Sequence, residues 1–184
     1  MKRAFSVLLA LAIFFTVLPA AVMTASAAES NNFTYTVADS KATVTGYTGE
    51  GGAVTIPAVL DGNPVTAIGD NAFLFNSKVT SVIIPDSVTA IGNSAFSSCI
   101  ELTTVTIGNG VITIGESAFL LCVKLTDVTI PNSVTTIGNS AFRGCTALTV
   151  VSVGSGVTTI GGSAFSEDIR LDEVYFLGNA PTMG

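Results

Sequence analysis

The most reactive side chains in this sequence are three cysteines, which recur at a fixed spacing. Cys99, Cys122 and Cys145 lie 23 residues apart, so in a stack of repeats they form one column, with neighbouring strands ~4.8 Å apart. A disulfide could span that distance, but the number of cysteines is odd and the column faces inwards. We therefore expect buried free thiols that pack as small hydrophobic side chains.

The same spacing brings two carboxylates into one column. Asp127 and Glu173 are 46 residues apart, which is two repeat units, so their backbones are expected ~10 Å apart. That separation is close to the one used by inverting glycosidases, and a glycan-active enzyme is one alternative for the function. Val150 lies between the two carboxylates, however, and isolated groups without an enclosing pocket do not make a site. We therefore predict no catalytic residues.

Composition excludes several classes of function. The chain has 184 residues and no histidine, which removes Ser-His-Asp and Cys-His pairs and every zinc site with a histidine ligand. We accordingly predict no metal and no cofactor. The net charge is −6 and only 11% of the residues are charged, so the chain lacks the basic cluster that a nucleic-acid-binding protein needs.

Residues 1–28 have the pattern of a secretory signal peptide. Lys2 and Arg3 precede an apolar run over 4–22, and the small residues 25–28 fit cleavage after Ala27 or Ala28. An uncleaved membrane anchor is the alternative, because the run is nearly long enough to cross a bilayer. Pro19 and the small-residue site favour processing. We predict a secreted or cell-surface protein with no membrane insertion after cleavage.

The remainder of the chain is built from a 23-residue repeat. The pattern is an Ile-Gly pair followed, four residues after the Ile, by Ala-Phe, and it occurs five times without a slip, with the isoleucines at Ile68, Ile91, Ile114, Ile137 and Ile160. A fixed period of this length is typical of a stacked solenoid. Four full units span 79–101, 102–124, 125–147 and 148–170, with partial units at 54–78 and 171–184.

The residue pattern of each unit predicts a strand, a turn, a short extended segment and a helical turn, in that order. In the unit 102–124 the strand falls near 102–107 and the extended piece ends at Ile114-Gly115. The separations between Ala118, Phe119 and Cys122 favour a helical turn at 116–121. The glycine after each Ile is expected to take a positive φ or to allow close backbone approach. The predicted fold class is an α/β repeat solenoid over 54–184.

The two ends of the solenoid call for different predictions. Residues 29–53 predict a β-hairpin cap, because Phe33, Tyr35 and Val37 alternate with threonines ahead of a turn at Asp39-Ser40. At the other end, the pattern of 171–176 indicates one more strand, and a turn is expected at 178–181. No segment after this turn has the pattern of a cap. We expect the array to continue beyond Gly184, and the chain 29–184 to self-associate through its uncovered C-terminal end.

The complete repeat resembles the BspA-type leucine-rich repeat family. The unit 125–145 carries the motif L-x-x-V-x-I-P-x-S-V-T-x-I-G-x-S-A-F-x-x-C, and the hairpin segment is similar to that family's N-terminal segment. The resemblance implies a right-handed leucine-rich repeat solenoid with a parallel concave β-sheet and short helical turns. It also implies a bacterial secreted or surface protein that binds host or matrix proteins, with no catalytic residues defined for the family.

The outward positions of the predicted strands are the candidate binding surface. In a curved solenoid this surface is concave and is the usual binding face. Its members are rich in hydroxyl groups and mildly acidic, and Tyr175 offers the largest contact area. The candidate residues are Thr104, Thr106, Asp127, Thr129, Val150, Ser152, Glu173 and Tyr175.

These observations predict an interaction or adhesion module that binds a protein or glycan ligand outside the cell. One alternative is a structural spacer within a larger surface protein, in which threonine serves only as a good strand residue. Another is a threonine array that binds ice or a carbohydrate surface, although Asp127, Val150 and Glu173 interrupt that array.

Overall fold

The computed structural model describes residues 28–30 and 32–184, and it forms sixteen strands there. The strands are β1 (Ala28–Ser30), β2 (Phe33–Ala38), β3 (Lys41–Tyr47), β4 (Gly52–Thr55), β5 (Val59–Leu60), β6 (Asn63–Ile68), β7 (Val79–Ile83), β8 (Ala90–Ile91), β9 (Thr104–Thr106), β10 (Thr113–Ile114), β11 (Asp127–Ile130), β12 (Thr136–Ile137), β13 (Val150–Val153), β14 (Thr159–Ile160), β15 (Glu173–Phe176) and β16 (Thr182–Met183). The predicted signal peptide lies outside these residues, apart from Ala28.

One long sheet runs the length of the solenoid. It has the order β1-β2-β3-β6-β8-β10-β12-β14-β16, and along this order the pairing is parallel from β3 onwards. β5 pairs antiparallel with β6. Thr113 pairs with Thr136, and Thr136 with Thr159, so the ladder steps by 23 residues. The sequence period therefore sets the register.

The predicted longer strands form two shorter parallel sheets on another side of the solenoid. Their orders are β4-β7-β9 and β11-β13-β15. A single continuous sheet was predicted here, and the structure instead interrupts it between β9 and β11.

The predicted N-terminal hairpin is present. β2 pairs antiparallel with β3, and the residues between them, Asp39 and Ser40, have φ values of 50° and 57°. Two adjacent residues with positive φ are the geometry of a two-residue type I′ turn, which matches the twist of the flanking strands. β3 then pairs with β6, which joins the hairpin to the first strand of the solenoid.

The predicted helical turns are wrong: no helix occurs among the described residues, so the α/β class is corrected to an all-β solenoid. At 116–122 every second backbone N–H closes a tight turn within the unit; for example, the Leu120 N–H donates to the Ser117 carbonyl at 3.1 Å. The N–H groups between them donate to carbonyls of the next unit; for example, the Phe119 N–H donates to the Ala141 carbonyl at 2.7 Å. Positive φ values of 55° at Ser117 and 59° at Leu121 accompany the N–H groups that point to the next unit. In a helix these N–H groups would bond within their own unit, and the carbonyls of the next unit would have no donors.

The glycine after each Ile allows close backbone approach, and its φ is not positive. A Cβ on Gly138 would lie 2.6 Å from the Gly115 carbonyl carbon and from the Glu116 nitrogen. Of the two predicted reasons for these glycines, close backbone approach between units is therefore confirmed, and a positive φ is not.

Apolar side chains at one phase of every unit fill the solenoid. Phe73, Phe96, Phe119 and Phe142 are fully buried and stack in one column. Tyr47 of the hairpin stacks on Phe73 at 5.5 Å between ring centroids, so the cap continues the aromatic column. Because the described part of the chain holds no helix, it holds none that could cross a bilayer.

Candidate ligand-binding face

The candidate face is defined here as the outward side of β7, β9, β11, β13 and β15. Asp127 pairs in register with Val150, and Val150 with Glu173. Thr129 pairs with Ser152, and Ser152 with Tyr175. The 23-residue period therefore brings six of the eight candidate residues into two adjacent columns on the sheet β11-β13-β15.

The other two candidates, Thr104 and Thr106, lie on β9. They pair with Ser81 and Ile83 of β7, which places them in the neighbouring sheet. The interruption between β9 and β11 separates them from the two columns, so the candidate face has two parts.

The aromatic side chain of the face is held by a carboxylate. Tyr175 is 48% exposed, and its hydroxyl donates a hydrogen bond to the Glu173 carboxylate. This bond raises the pKa of Tyr175, because it favours the protonated phenol. Tyr175 therefore presents a neutral ring held against an acidic neighbour.

The two carboxylates of the enzyme alternative do not share a pocket. Val150 lies between Asp127 and Glu173 in the ladder, which sets them two strand spacings apart, ~10 Å. A cleft of about 320 Å³ includes Asp127 in its lining but not Glu173. The described residues also contain no cluster of three or more Cys, Asp or Glu side chains that could hold a metal ion.

That cleft lies where the sheets separate. It is lined by three candidate residues and by four others that the sequence reasoning missed, namely Thr106, Asp127 and Thr129 together with Val105, Ile107, Asn109 and Pro131. Pro131 was not a sufficient signal, because Pro85 occupies the equivalent position and follows a strand that is paired on both sides. A separate cavity of about 280 Å³ lies beside the hairpin, against Phe33 and Tyr47.

Many hydroxyl groups next to the face hold the stack together. Thr103 donates from Oγ1 to the Thr80 carbonyl at 2.9 Å, and Thr149 does so to Thr126 at 3.1 Å. At the turns, side chains also bond to the backbone of the next unit; for example, the Asn139 Oδ1 accepts a hydrogen bond from the Gly162 N–H at 2.9 Å. These polar groups satisfy exposed backbone atoms between units.

The cysteine column is inward, as predicted, and its thiols are free and buried. Each thiol donates to the carbonyl of a phenylalanine 26 residues earlier, with Sγ to O distances of 3.1 Å for Cys99 to Phe73, 3.2 Å for Cys122 to Phe96 and 3.2 Å for Cys145 to Phe119. Asp168 occupies the equivalent position in the last full unit. It is buried, and neither carboxylate oxygen has a hydrogen-bond partner among the described residues.

The repeats match a known family model. Residues 66–184 match the BspA type leucine rich repeat region in six copies. No curated protein matches the chain.

Solved structures of bacterial leucine-rich repeat proteins are similar over most of the chain. A leucine-rich repeat protein of T. pallidum is 26% identical with a TM-score of 0.71, and the match covers 86% of each chain. A protein of Bacteroides capillosus is 31% identical with a TM-score of 0.63, covering 83% of this chain and 99% of that one.

A leucine-rich cell surface protein of Faecalibacterium prausnitzii is also similar. It is 31% identical with a TM-score of 0.75, and the match covers 82% of this chain but only 39% of that protein. That relative is a cell surface protein.

Proposed function

Because the chain belongs to the BspA-type leucine-rich repeat family, we propose that it is a secreted or cell-surface interaction module. Leucine-rich repeat proteins are generally binding or scaffold modules, and their stacked strands make extended binding surfaces. In this proposal the ligand is a protein or glycan outside the cell, and it binds on the candidate face.

One observation carries the proposal. The ladder holds Asp127, Val150 and Glu173 in one column and Thr129, Ser152 and Tyr175 in the next. The columns offer carboxylates, hydroxyls and an exposed aromatic ring within two strand spacings. Aromatic residues are the commonest binding hot spots.

Localisation outside the cell is supported by two independent features. The pattern of residues 1–28 is that of a secretory signal peptide, and the Faecalibacterium relative is described as a cell surface protein. Removal of the segment leaves five basic against thirteen acidic groups, a net charge that repels nucleic acid and anionic lipid.

The experiment measures binding of the chain to immobilised extracellular matrix proteins and to a glycan array. The variant Asp127→Ala with Tyr175→Ala should weaken any binding by about 100-fold, which corresponds to the few kcal/mol of two hot spots. The matched control is Thr113→Ala with Thr159→Ala on the long sheet, which should bind as the parent does. Both variants should keep the parental melting temperature, because they alter surface side chains.

The outcomes separate the alternatives. If both double variants lose binding equally, or if only the control loses binding, the ligand does not bind on the candidate face. Absence of binding to every matrix protein and glycan would favour the structural spacer. Turnover of a glycan that is abolished by Asp127→Asn would favour the enzyme.

A further inference from the structure

The two shorter sheets begin one unit later than the long sheet. From β6 onwards, each strand of the long sheet is preceded in its own unit by a strand of a shorter sheet, as β4 precedes β6 and β7 precedes β8. β3 has no such companion, because β2, which precedes it, pairs with β3 in the long sheet. Among residues 28–30 and 32–184, no strand therefore fills the place beside β4 that a companion of β3 would occupy.

The main chain of β4 is unpaired on the side that faces this place. β4 pairs with β7 alone, and the Ile56 N–H, just after β4, donates to the Ile83 carbonyl at 3.0 Å. Successive residues of a strand direct their N–H and C=O groups to alternate sides. Ala53 and Thr55 therefore present theirs away from β7, where these groups have no hydrogen-bond partner among the described residues.

A cavity of about 280 Å³ lies along this unpaired side. One wall is formed by 53–55 of β4 together with Pro57, and the other by Asn32, Phe33 and Tyr47 of the hairpin segment. Among the described strands, only β7 makes extensive main-chain contact with β4, so the hairpin leaves the edge open. The cavity is just below the usual size of small-molecule sites, and it suits a short length of extended chain.

The strands from β4 to β13 in the shorter sheets share a pattern of two inward apolar side chains, two residues apart. The buried pairs are Val54 and Ile56, Val82 and Ile84, Val105 and Ile107, Val128 and Ile130, and Val151 and Val153. An added strand in the same register would place such a pair beside Phe33 and Val54, which are themselves buried.

The inward residues also direct their main chains to the following unit. The Ile84 N–H, for example, donates to the Thr106 carbonyl of β9 at 2.9 Å. In an added strand of the same register, the main chains of the inward residues would therefore face Ala53 and Thr55. The unpaired groups of β4 and the cavity beside them thus suit the same extended segment.

We propose that the free edge of β4 binds an extended peptide segment of a protein partner, which adds as a parallel strand and places two apolar side chains, two residues apart, in the cavity beside Phe33. Strand addition to an exposed sheet edge is a recurring mode of peptide recognition, in which the main chain provides affinity and pockets for alternate side chains provide specificity. The direction follows that of β4, β7 and β9, which run parallel. The site lies on the edge of the sheet, so it goes beyond the proposed function and does not depend on the candidate face.

A second copy of this chain does not fit the place. β15 also has a free edge, but β16 follows it in the same unit and pairs in the long sheet. If β15 of a second copy paired with β4, its β16 would fall where β3 already lies. The occupant is therefore an extended segment that is not part of a repeat unit.

The aromatic rings of the cavity are engaged in the core. Phe33 is 4% exposed, and its ring packs against Tyr47 with 5.2 Å between centroids. Tyr47 in turn stacks on Phe73 at 5.5 Å. The rings therefore supply an apolar wall for aliphatic side chains and do not offer a free face to a sugar ring.

The test measures the affinity of the full chain for synthetic peptides that alternate valine and threonine, with terminal lysines for solubility. One peptide is unmodified, a second carries N-methyl groups on its valines, and a third carries them on its threonines. In the proposed register the valine N–H groups face β4, so methylation of the valines should weaken binding at least tenfold. The threonine-methylated peptide should bind as the unmodified one does.

Three results of this comparison would overturn the proposal. They are no binding of the unmodified peptide, equal binding of the two methylated peptides, and loss of binding with the methylated threonines alone. Because the parent chain is used throughout, the comparison does not depend on the folding of a variant.

Thr55→Pro removes one of the unpaired N–H groups. The Thr55 main chain faces away from β7, and proline is tolerated at such edge positions, so the variant should keep the parental melting temperature. It should weaken binding of the unmodified peptide at least tenfold. Thr55→Ala is the matched control, because it retains the N–H and should bind as the parent does. Unchanged affinity in Thr55→Pro would contradict strand addition.

Amide exchange locates the bound peptide on β4. In the free chain the Thr55 N–H should exchange faster than the Val54 N–H, which faces β7. Excess unmodified peptide should slow exchange at Ala53 and Thr55 and leave Val54 unchanged. Equal protection of Thr55 and Val54 in the free chain, or no slowing with peptide, would count against the site.

The edge and the candidate face fail separately. Asp127→Ala with Tyr175→Ala should leave peptide affinity unchanged, since neither residue lines the cavity. Loss of peptide binding in this double variant would place the peptide on the candidate face and overturn the edge proposal. A glycan whose binding is abolished by Thr55→Pro, with no peptide binding, would assign the cavity to a sugar and likewise overturn it.

Discussion

Phe119 and Phe142 stack face to face in the solenoid, with ring centroids 5.1 Å apart and planes inclined by 5°. Both rings are fully buried, and 23 residues separate them in the chain. Each ring packs on the ring of the preceding and the following unit, so the column couples neighbouring units along the core.

Truncation of one ring should therefore be strongly destabilising. Phe142→Ala is expected to lower the free energy of unfolding by about 3–5 kcal/mol, because it removes buried area and leaves a cavity. Chemical denaturation and the melting temperature measure this loss. The control is Phe75→Ala, since Phe75 is 71% exposed and its loss should change stability little. An unchanged melting temperature for Phe142→Ala would contradict the repeat register.

The cysteines should be unreactive in the folded protein. Burial raises the pKa of Cys99 to about 12 and raises the pKa of Cys122 and Cys145 well above the ordinary value, and only the thiolate reacts. Thiol titration is expected to find little reaction in the native protein and three groups after unfolding. Loss of two of the three groups without reductant would reveal a disulfide between column neighbours.

Stability should fall as the pH rises through the range in which Asp168 ionises. Burial raises the pKa of the Asp168 carboxyl in the folded protein from 3.8 to about 7. The nearby backbone amides of Cys145 and Gly144 act in the opposite direction and lower this pKa, but they offset only part of the rise. The folded state thus binds the proton more tightly than the unfolded state, so stability is greatest near pH 4 and declines towards pH 7. Denaturation across this range measures the decline.

Replacement of Asp168 by the residue of the other units should remove this dependence. Asp168→Cys is expected to raise the free energy of unfolding at pH 7–8 by about 1–3 kcal/mol, because a buried group without a partner is replaced by a thiol. The control Asp172→Asn removes a charge from an exposed position nearby and should keep the parental decline. A parental pH profile in Asp168→Cys would assign the decline to other groups.

The glycine after each Ile should tolerate no side chain. Gly138→Ala is expected to destabilise by about 1–3 kcal/mol, because its Cβ would lie 2.6 Å from backbone atoms of the preceding unit and force the two apart. Gly162→Ala is the matched control, since the nearest atom to its Cβ lies 3.8 Å away and its φ is not positive. Equal stability of the two variants in denaturant titrations would contradict the steric explanation.

The edge of β15 should support self-association of the described chain. Val174, Phe176 and Leu177 are exposed there, and β15 is the last strand of its sheet, with one side free to pair. Sedimentation should show a larger species as concentration rises, and Val174→Lys should abolish it because a charged edge resists pairing. A single monomeric species at high concentration would show that 177–184 protects the edge.

The amino-acid sequence determined the parts of this structure that depend on period and phase. The 23-residue repeat predicted the parallel register, the buried column of Phe119 and Phe142, the inward cysteines and the two surface columns that include Asp127 and Tyr175. A strict repeat forces this outcome, because equivalent residues of stacked units occupy equivalent places. The Asp39-Ser40 turn was likewise readable from local alternation and turn chemistry.

Tertiary structure decided the features that depend on hydrogen bonds between units. The spacing of Ala118, Phe119 and Cys122 fits a helical turn, but the next unit requires the N–H groups that a helix would keep for itself. Pro131 and Pro85 occupy equivalent positions, yet only the strand before Pro131 faces an open gap. Each outcome depends on which donors and acceptors a neighbouring unit presents, and a one-dimensional pattern does not contain that information.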